Sequence, residues 1–264
     1  MGLRSVLAKA PVPRVRSIIS RADLLTLTNL VCGFFAIVTI AGDSGEEVFG
    51  RYQDHEWAIG LIILGAVADA FDGMVARKYG SSALGGDLDT LADAVTFVIA
   101  PSLLLVDGYG APGEYPVRAA FVACLVTVMG ILRLARFNSD TEGDDSLTFD
   151  GLPTPICAAG ICALVLIDAP ALFGLSASAV LALLMMSKIS YPKTRYRQRY
   201  ALAMMAAGVF IVGGIIFIPE KTDFFARSGF AMAAFFIAIV PFLLSRRKRA
   251  ERKKAQNELD LESE

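Results

Sequence analysis

Four aspartates stand out as residues whose type and spacing can do chemistry: Asp69 and Asp72, then Asp89 and Asp93. Residues three or four apart on a helix share a face, so each pair presents two carboxylates in one direction. Two such faces on neighbouring antiparallel helices bring four carboxylates to one point. Four unneutralised carboxylates cannot share a site, so the pattern implies hard divalent cations. With oxygen-only ligands and no histidine beside them, the donor set suits Mg2+ or Mn2+. The other reading of the same spacing is a set of helix-end aspartates paired with Arg77 and Lys78.

The elements that must hold these residues are membrane helices. Of the 264 residues 55% are hydrophobic and 19% charged, where a soluble domain has about 45–50% and 25%; mean hydropathy is +0.56. The charges gather in short patches, and between them lie apolar runs such as Val122–Leu132, Ala159–Ile167 and Ala201–Ile218. A span needs about 20 mostly apolar residues, and lipid offers no partner to open backbone, so the spans are helical. The expectation is an all-α polytopic bundle of eight spans: Leu24–Ala41, Trp57–Ala76, Leu91–Val106, Ala119–Leu134, Pro155–Ile167, Ala171–Met186, Ala201–Ile218 and Phe230–Leu244. The fifth runs into Asp168-Ala-Pro170, so the fifth and sixth form a tight helical hairpin or one is partly re-entrant.

Basic residues set the orientation. With the N-terminus inside, 21 of the 25 Lys and Arg residues fall in inner segments, and only Arg51, Arg118, Lys221 and Arg227 fall outside. Both termini are therefore expected in the cytoplasm, with the four aspartates at the cytoplasmic ends of the second and third spans. Residues 1–23 form a cytoplasmic or interfacial segment, 24–244 the membrane domain, and 245–264 a charged tail that suits an anionic leaflet. Lys188, Lys193, Arg195, Arg197 and Arg199 are read as headgroup contacts, one of which can approach a phosphate. Pro11 and Pro13 interrupt the start of the chain, and no removable signal peptide is expected.

Several function classes drop out. A net charge of −1 gives no basic excess for nucleic acid. Cys32, Cys124, Cys157 and Cys162 sit in apolar runs without CxxC pairing, which indicates neither a disulfide framework nor a zinc site. The single histidine, His55, falls on the outer side.

The pattern Asp69-x2-Asp72-Gly73-x2-Ala76-Arg77, followed by Gly85-x3-Asp89-x3-Asp93, resembles the signature of the CDP-alcohol phosphatidyltransferase family. One interval departs from it: seven residues separate Arg77 from Gly85, where the family commonly has eight, and the doublet Gly85-Gly86 absorbs the difference. Three more segments resemble the membrane-embedded phosphatidylserine synthase branch: Thr26-Leu-Thr-Asn29-Leu-Val-Cys32-Gly33, Arg133-Leu-Ala-Arg136-Phe-Asn138 and Gly151-Leu-Pro-Thr-Pro155. Asp89-Thr-Leu-Ala-Asp93-Ala-Val-Thr-Phe97 also fits, with Val98 where that branch usually has glycine.

The resemblance implies transfer of a phosphatidyl group from a CDP-linked lipid to an alcohol, with release of CMP. It implies Asp69, Asp72 and Asp89 as ligands of two metal ions, and Asp93 as both a ligand and the acceptor of the alcohol's proton. Gly73 and Ala76 would offer small surfaces to the nucleotide, with Arg77 at the diphosphate and Gly85 at the cytidine. Asn29, polar within a span, either lines the nucleotide site or makes a helix–helix hydrogen bond. The favoured acceptor is L-serine, whose carboxylate Arg133 and Arg136 can clamp from one helix face, with Asn138 nearby; plain interface anchors are the other reading of those arginines. The resemblance also implies a homodimer in the cell membrane. Within the family the alternative acceptors are glycerol 3-phosphate and inositol phosphate. A cation transporter is the distant alternative, disfavoured because the acidic cluster occurs once and at the surface. Apolar tails are read by shape, so acyl-ester and isoprenoid-ether donors fit equally.

Overall fold

A capping box opens the first helix, α1 (Arg21–Ala41). The Ser20 hydroxyl accepts from the Asp23 amide at 3.3 Å, and the Asp23 carboxylate accepts from the Ser20 amide at 2.7 Å. The computed structural model describes residues 20–42, 54–79, 82–110, 115–140 and 148–192, together with Ser228. After α1 come α2 (Asp54–Tyr79), α3 (Gly85–Asp93), a π turn over Ala94–Ile99, α4 (Ala100–Tyr109) and α5 (Pro116–Asp140). A short strand β1 (Thr148–Asp150), α6 (Thr154–Leu166), α7 (Ala171–Met185) and strand β2 (Ser190–Pro192) complete the described elements.

Four of these helical stretches are long and apolar enough to cross a membrane: Arg21–Ala41, His55–Ala76, Gly85–Tyr109 and Pro116–Ser139. They coincide with the first four expected spans, and the protein is a multi-pass membrane protein. The observed helices run further at the aspartate-bearing end than hydropathy suggested, because their last turns are polar. α3 starts at Gly85 rather than Leu91, which brings Asp89 into the same helix as Asp93, and α5 extends through Arg136 and Asn138. α6 and α7 have 13 and 15 residues, or about 20 and 23 Å of helix. They are joined by the turn Ile167–Pro170, with Asp168 at φ 48°, and so form the hairpin of the two alternatives. The seventh and eighth expected spans, the N-terminal segment 1–19, positions 193–199 of the basic connection and the tail lie outside the described residues.

One feature departs from the all-α expectation. β1 and β2 pair antiparallel, with Phe149 opposite Tyr191, and tie the α5–α6 connection to the end of α7. Gly151 makes the adjoining turn at φ +87° and its amide donates to the Ile189 carbonyl at 2.8 Å. A Cβ there would sit 2.1 Å from the Met185 carbonyl oxygen, so only glycine passes at this point.

The core lies where the helices meet, among Phe97, Leu104, Leu105, Val126, Ile161 and Met185. Phe34, Phe121, Leu172 and Val180 face outward, as suits helices whose solvent is lipid. Successive helices reverse direction, so the start of α1, the end of α2, the start of α3 and the end of α5 gather at one end of the bundle. There Asn138 on α5 donates to the Thr90 hydroxyl on α3 at 2.9 Å. At the opposite end His55 on α2 pairs with Asp107 on α4 at 2.5 Å.

Candidate active site

Asp69 lies in the second half of α2, and helical spacing puts Asp89 and Asp93 one turn apart on α3. In the folded chain Asp69, Asp89 and Asp93 each offer a carboxylate oxygen within 4.8 Å of the other two, all half-buried. Two ionised carboxylates so close repel by about 3 kcal/mol or more at an effective dielectric near 20. The Asp89 Oδ1 is buried and has no hydrogen-bond partner. Oxygens bound to one cation at about 2.1–2.6 Å stand no more than about 4–5 Å apart, so the spacing, the charge and the orphaned oxygen all fit a divalent ion. Lys78, exposed and 5.3 Å from the Tyr79 ring centroid, makes no ion pair with them. Arg77 stands on α2, one turn beyond Gly73; its side chain is outside the described set.

Asp72 stands apart from that group of three. It is buried, and its Oδ2 accepts from the Thr26 hydroxyl of α1 at 2.7 Å. Asn29, one turn further along α1, is 0% exposed and donates from Nδ2 to Asp93 Oδ1 at 3.2 Å. α1 therefore supplies a hydrogen-bond donor to one aspartate of each pair. The sequence carried a signal for this: Ala22, Thr26, Asn29, Gly33 and Ala36 recur every three or four residues in an otherwise apolar span, and all are buried. Such a small and polar stripe marks a helix–helix interface. Gly73 and Ala76, half-buried, follow on α2, while Gly85 opens α3 beside an open Gly86.

The three residues expected near the acceptor share this end of the bundle but behave differently. Arg133, only 7% exposed, donates from Nε to the Leu152 carbonyl and from Nη1 to the Thr154 hydroxyl, both at 2.8 Å. It braces the Gly151–Pro155 segment against α5. Arg136 is half-buried beside Gly151, and Asn138 is exposed and engaged with Thr90, the residue next to Asp89. Thr90, Thr96 and Thr154 were not singled out from sequence; a threonine in an apolar helix usually bonds to its own preceding turn, which gives no hint of a distant partner.

A family model described as CDP-alcohol phosphatidyltransferase matches residues 19–189. The archaetidylserine synthase of Methanothermobacter thermautotrophicus is 32% identical over 188 residues, covering 68% of this chain and 72% of that protein. The CDP-diacylglycerol–serine O-phosphatidyltransferase of Bacillus subtilis is 34% identical over 174 residues, with 64% and 88% covered. The protein of the same description from Methanocaldococcus jannaschii is 33% identical over 184 residues, with 68% and 77% covered.

Proposed function

Because the chain belongs to the CDP-alcohol phosphatidyltransferase family, we propose that it transfers the phosphatidyl or archaetidyl group of a CDP-linked lipid to the hydroxyl of L-serine, releasing CMP. The observation that carries the chemistry is the meeting of Asp69 on α2 with Asp89 and Asp93 on α3, within 4.8 Å, between two membrane-length helices. The serine acceptor is supported by relatives named for serine transfer that align over about two thirds of the chain.

Asp69, Asp72, Asp89 and Asp93 hold two Mg2+ or Mn2+ ions in this reading. What the bound ions supply is positive charge at the diphosphate, for both the attacking and the leaving oxygen. The chain's own residues do the rest. Gly73 and Ala76 leave room for the nucleotide against α2, Arg77 contacts the diphosphate, and Gly85 approaches the cytidine, with Asn29 bonded to Asp93. Asp93 accepts the serine hydroxyl proton as that oxygen bonds to the lipid-side phosphorus; the bridging P–O bond breaks and CMP leaves with its electron pair. Arg136 and Asn138 face the acceptor, with Arg133 fixing the segment beside them. The lipid tails stay in the bilayer and the head meets the aspartates at the membrane surface, which the basic-residue bias assigns to the cytoplasm. The active unit is a homodimer.

The test is CMP release from CDP-diacylglycerol and CDP-archaeol by the purified chain with Mg2+ or Mn2+, against serine, glycerol 3-phosphate and inositol phosphate. Release with serine alone is the expected result. Release with a phosphorylated alcohol instead assigns the other acceptor, and no release from either donor rejects the reading.

A further inference from the structure

Asn29 is fully buried in α1, and its surroundings allow its amide one orientation. Nδ2 donates to Asp93 Oδ1 at 3.2 Å, while Oδ1 has no hydrogen-bond partner. That oxygen faces Gly65 on α2, where an added Cβ would lie 2.8 Å from it. Its backbone is held as well. The Asn29 carbonyl accepts from the Thr96 hydroxyl at 3.0 Å, and Thr96 comes this close because residue 33 is glycine, whose added Cβ would fall 2.3 Å from Thr96 Oγ1.

Thr96 lies three residues after Asp93, inside the π turn Ala94–Ile99. π turns widen a helix and re-aim the residues around them. One helix thus both fixes the Asn29 backbone through Thr96 and receives the Asn29 amide through Asp93. Rotating the amide by half a turn would set its oxygen against a carboxylate oxygen, so the observed orientation is the one that gives Asp93 a donor.

We propose that Asn29 is a positioning residue for Asp93: its buried amide holds that carboxylate in the orientation that brings it to Asp69 and Asp89, and Asn29 acts through Asp93 rather than by touching the donor. The proposal rests on the reading of Asp69, Asp89 and Asp93 as a cation site. A partner that orients a ligating carboxylate typically changes metal affinity or activity by about 10- to 100-fold when removed.

The experiment is Mn2+ binding to the detergent-solubilised full chain, followed by the electron paramagnetic resonance signal of free Mn2+, with no donor or acceptor present. Asn29→Ala is expected to weaken Mn2+ binding by about 10- to 100-fold. In an Asp93→Ala background the same substitution should change it by less than about threefold, because the group it orients is gone. Gly65→Ala removes no polar atom but places a methyl 2.7 Å from Thr96 Cγ2 and 2.8 Å from Asn29 Oδ1, the two groups that fix Asn29 and its amide, so it should weaken Mn2+ binding in the wild-type background. In turnover, Asn29→Ala should lower kcat and leave the donor KM within about threefold.

Mn2+ binding by Asn29→Ala within threefold of wild type overturns the proposal. So do equal losses with and without the Asp93 carboxylate, or a loss confined to the donor KM. Failure of the wild type to release CMP with serine rejects the proposed function instead, while the Mn2+ titration still decides the role of Asn29.

Discussion

The Thr26 hydroxyl on α1 donates to Asp72 on α2 at 2.7 Å, with both side chains buried. A carboxylate three residues from Asp69, outside the set of oxygens that Asp69, Asp89 and Asp93 bring within 4.8 Å, is thereby tied to α1. A hydrogen bond to a charged group is worth about 1.5–3 kcal/mol. Thr26→Val keeps the shape and removes the donor, so CMP release should fall by roughly 10- to 150-fold, and Thr26→Ser should restore most of it. Equal rates for the valine and serine variants would show that the hydroxyl contributes nothing to the site.

Asp69→Asn and Asp89→Asn each remove a charge from the group of three. Metal charge stabilisation is worth several kcal/mol, so each variant should lose on the order of a thousandfold or more in turnover. Excess chelator should abolish wild-type activity, and Mg2+ or Mn2+ should restore it. Full activity in chelator, or wild-type rates in both variants, would remove metal from the reaction.

The two arginines at the end of α5 should separate in their effects. Arg133 is buried, with Nε and Nη1 bound to Leu152 and Thr154. Arg133→Ala leaves that carbonyl and that hydroxyl without these donors, at about 1–3 kcal/mol each, and thermal unfolding should shift down markedly. Arg136→Ala should leave the unfolding temperature nearly unchanged and raise the KM for serine by about tenfold or more, as expected for one lost charge-assisted contact. The two measurements on both variants decide the assignment: an Arg136 variant with normal serine KM excludes it from the acceptor site.

Cysteine labelling tests the orientation. In a background without Cys32, Cys124, Cys157 and Cys162, Ser44→Cys should react with an impermeant maleimide applied outside, and Thr194→Cys should react only after permeabilisation. The 21-to-4 partition of basic residues motivates this. The reverse pattern would place Asp69 and Asp89 at the outer surface, away from cytoplasmic CDP-lipid and serine.

Hydropathy and helical period are local properties, and what depends on them alone was legible along the chain. The first four spans, the break at Asp168-Ala-Pro170 and the pairing of Asp69 with Asp72 and of Asp89 with Asp93 on shared faces all follow from neighbours within one or two turns. What a polar side chain bonds to across the bundle is not local. Thr26 meets Asp72 across 46 positions and Thr96 meets Asn29 across 67, at places where Gly33 and Gly65 let backbones approach. Arg133 reaches Leu152 across 19 positions and Thr154 across 21, contacts that its spacing from Arg136 does not announce. Only the packed helices decide such contacts, because a buried donor must take whichever acceptor the neighbouring helix places within about 3 Å, and spacing along one helix says nothing of its neighbour's rotation. For the same reason the aspartates that sequence spacing groups as two pairs meet in the folded chain as three, with the fourth held by α1.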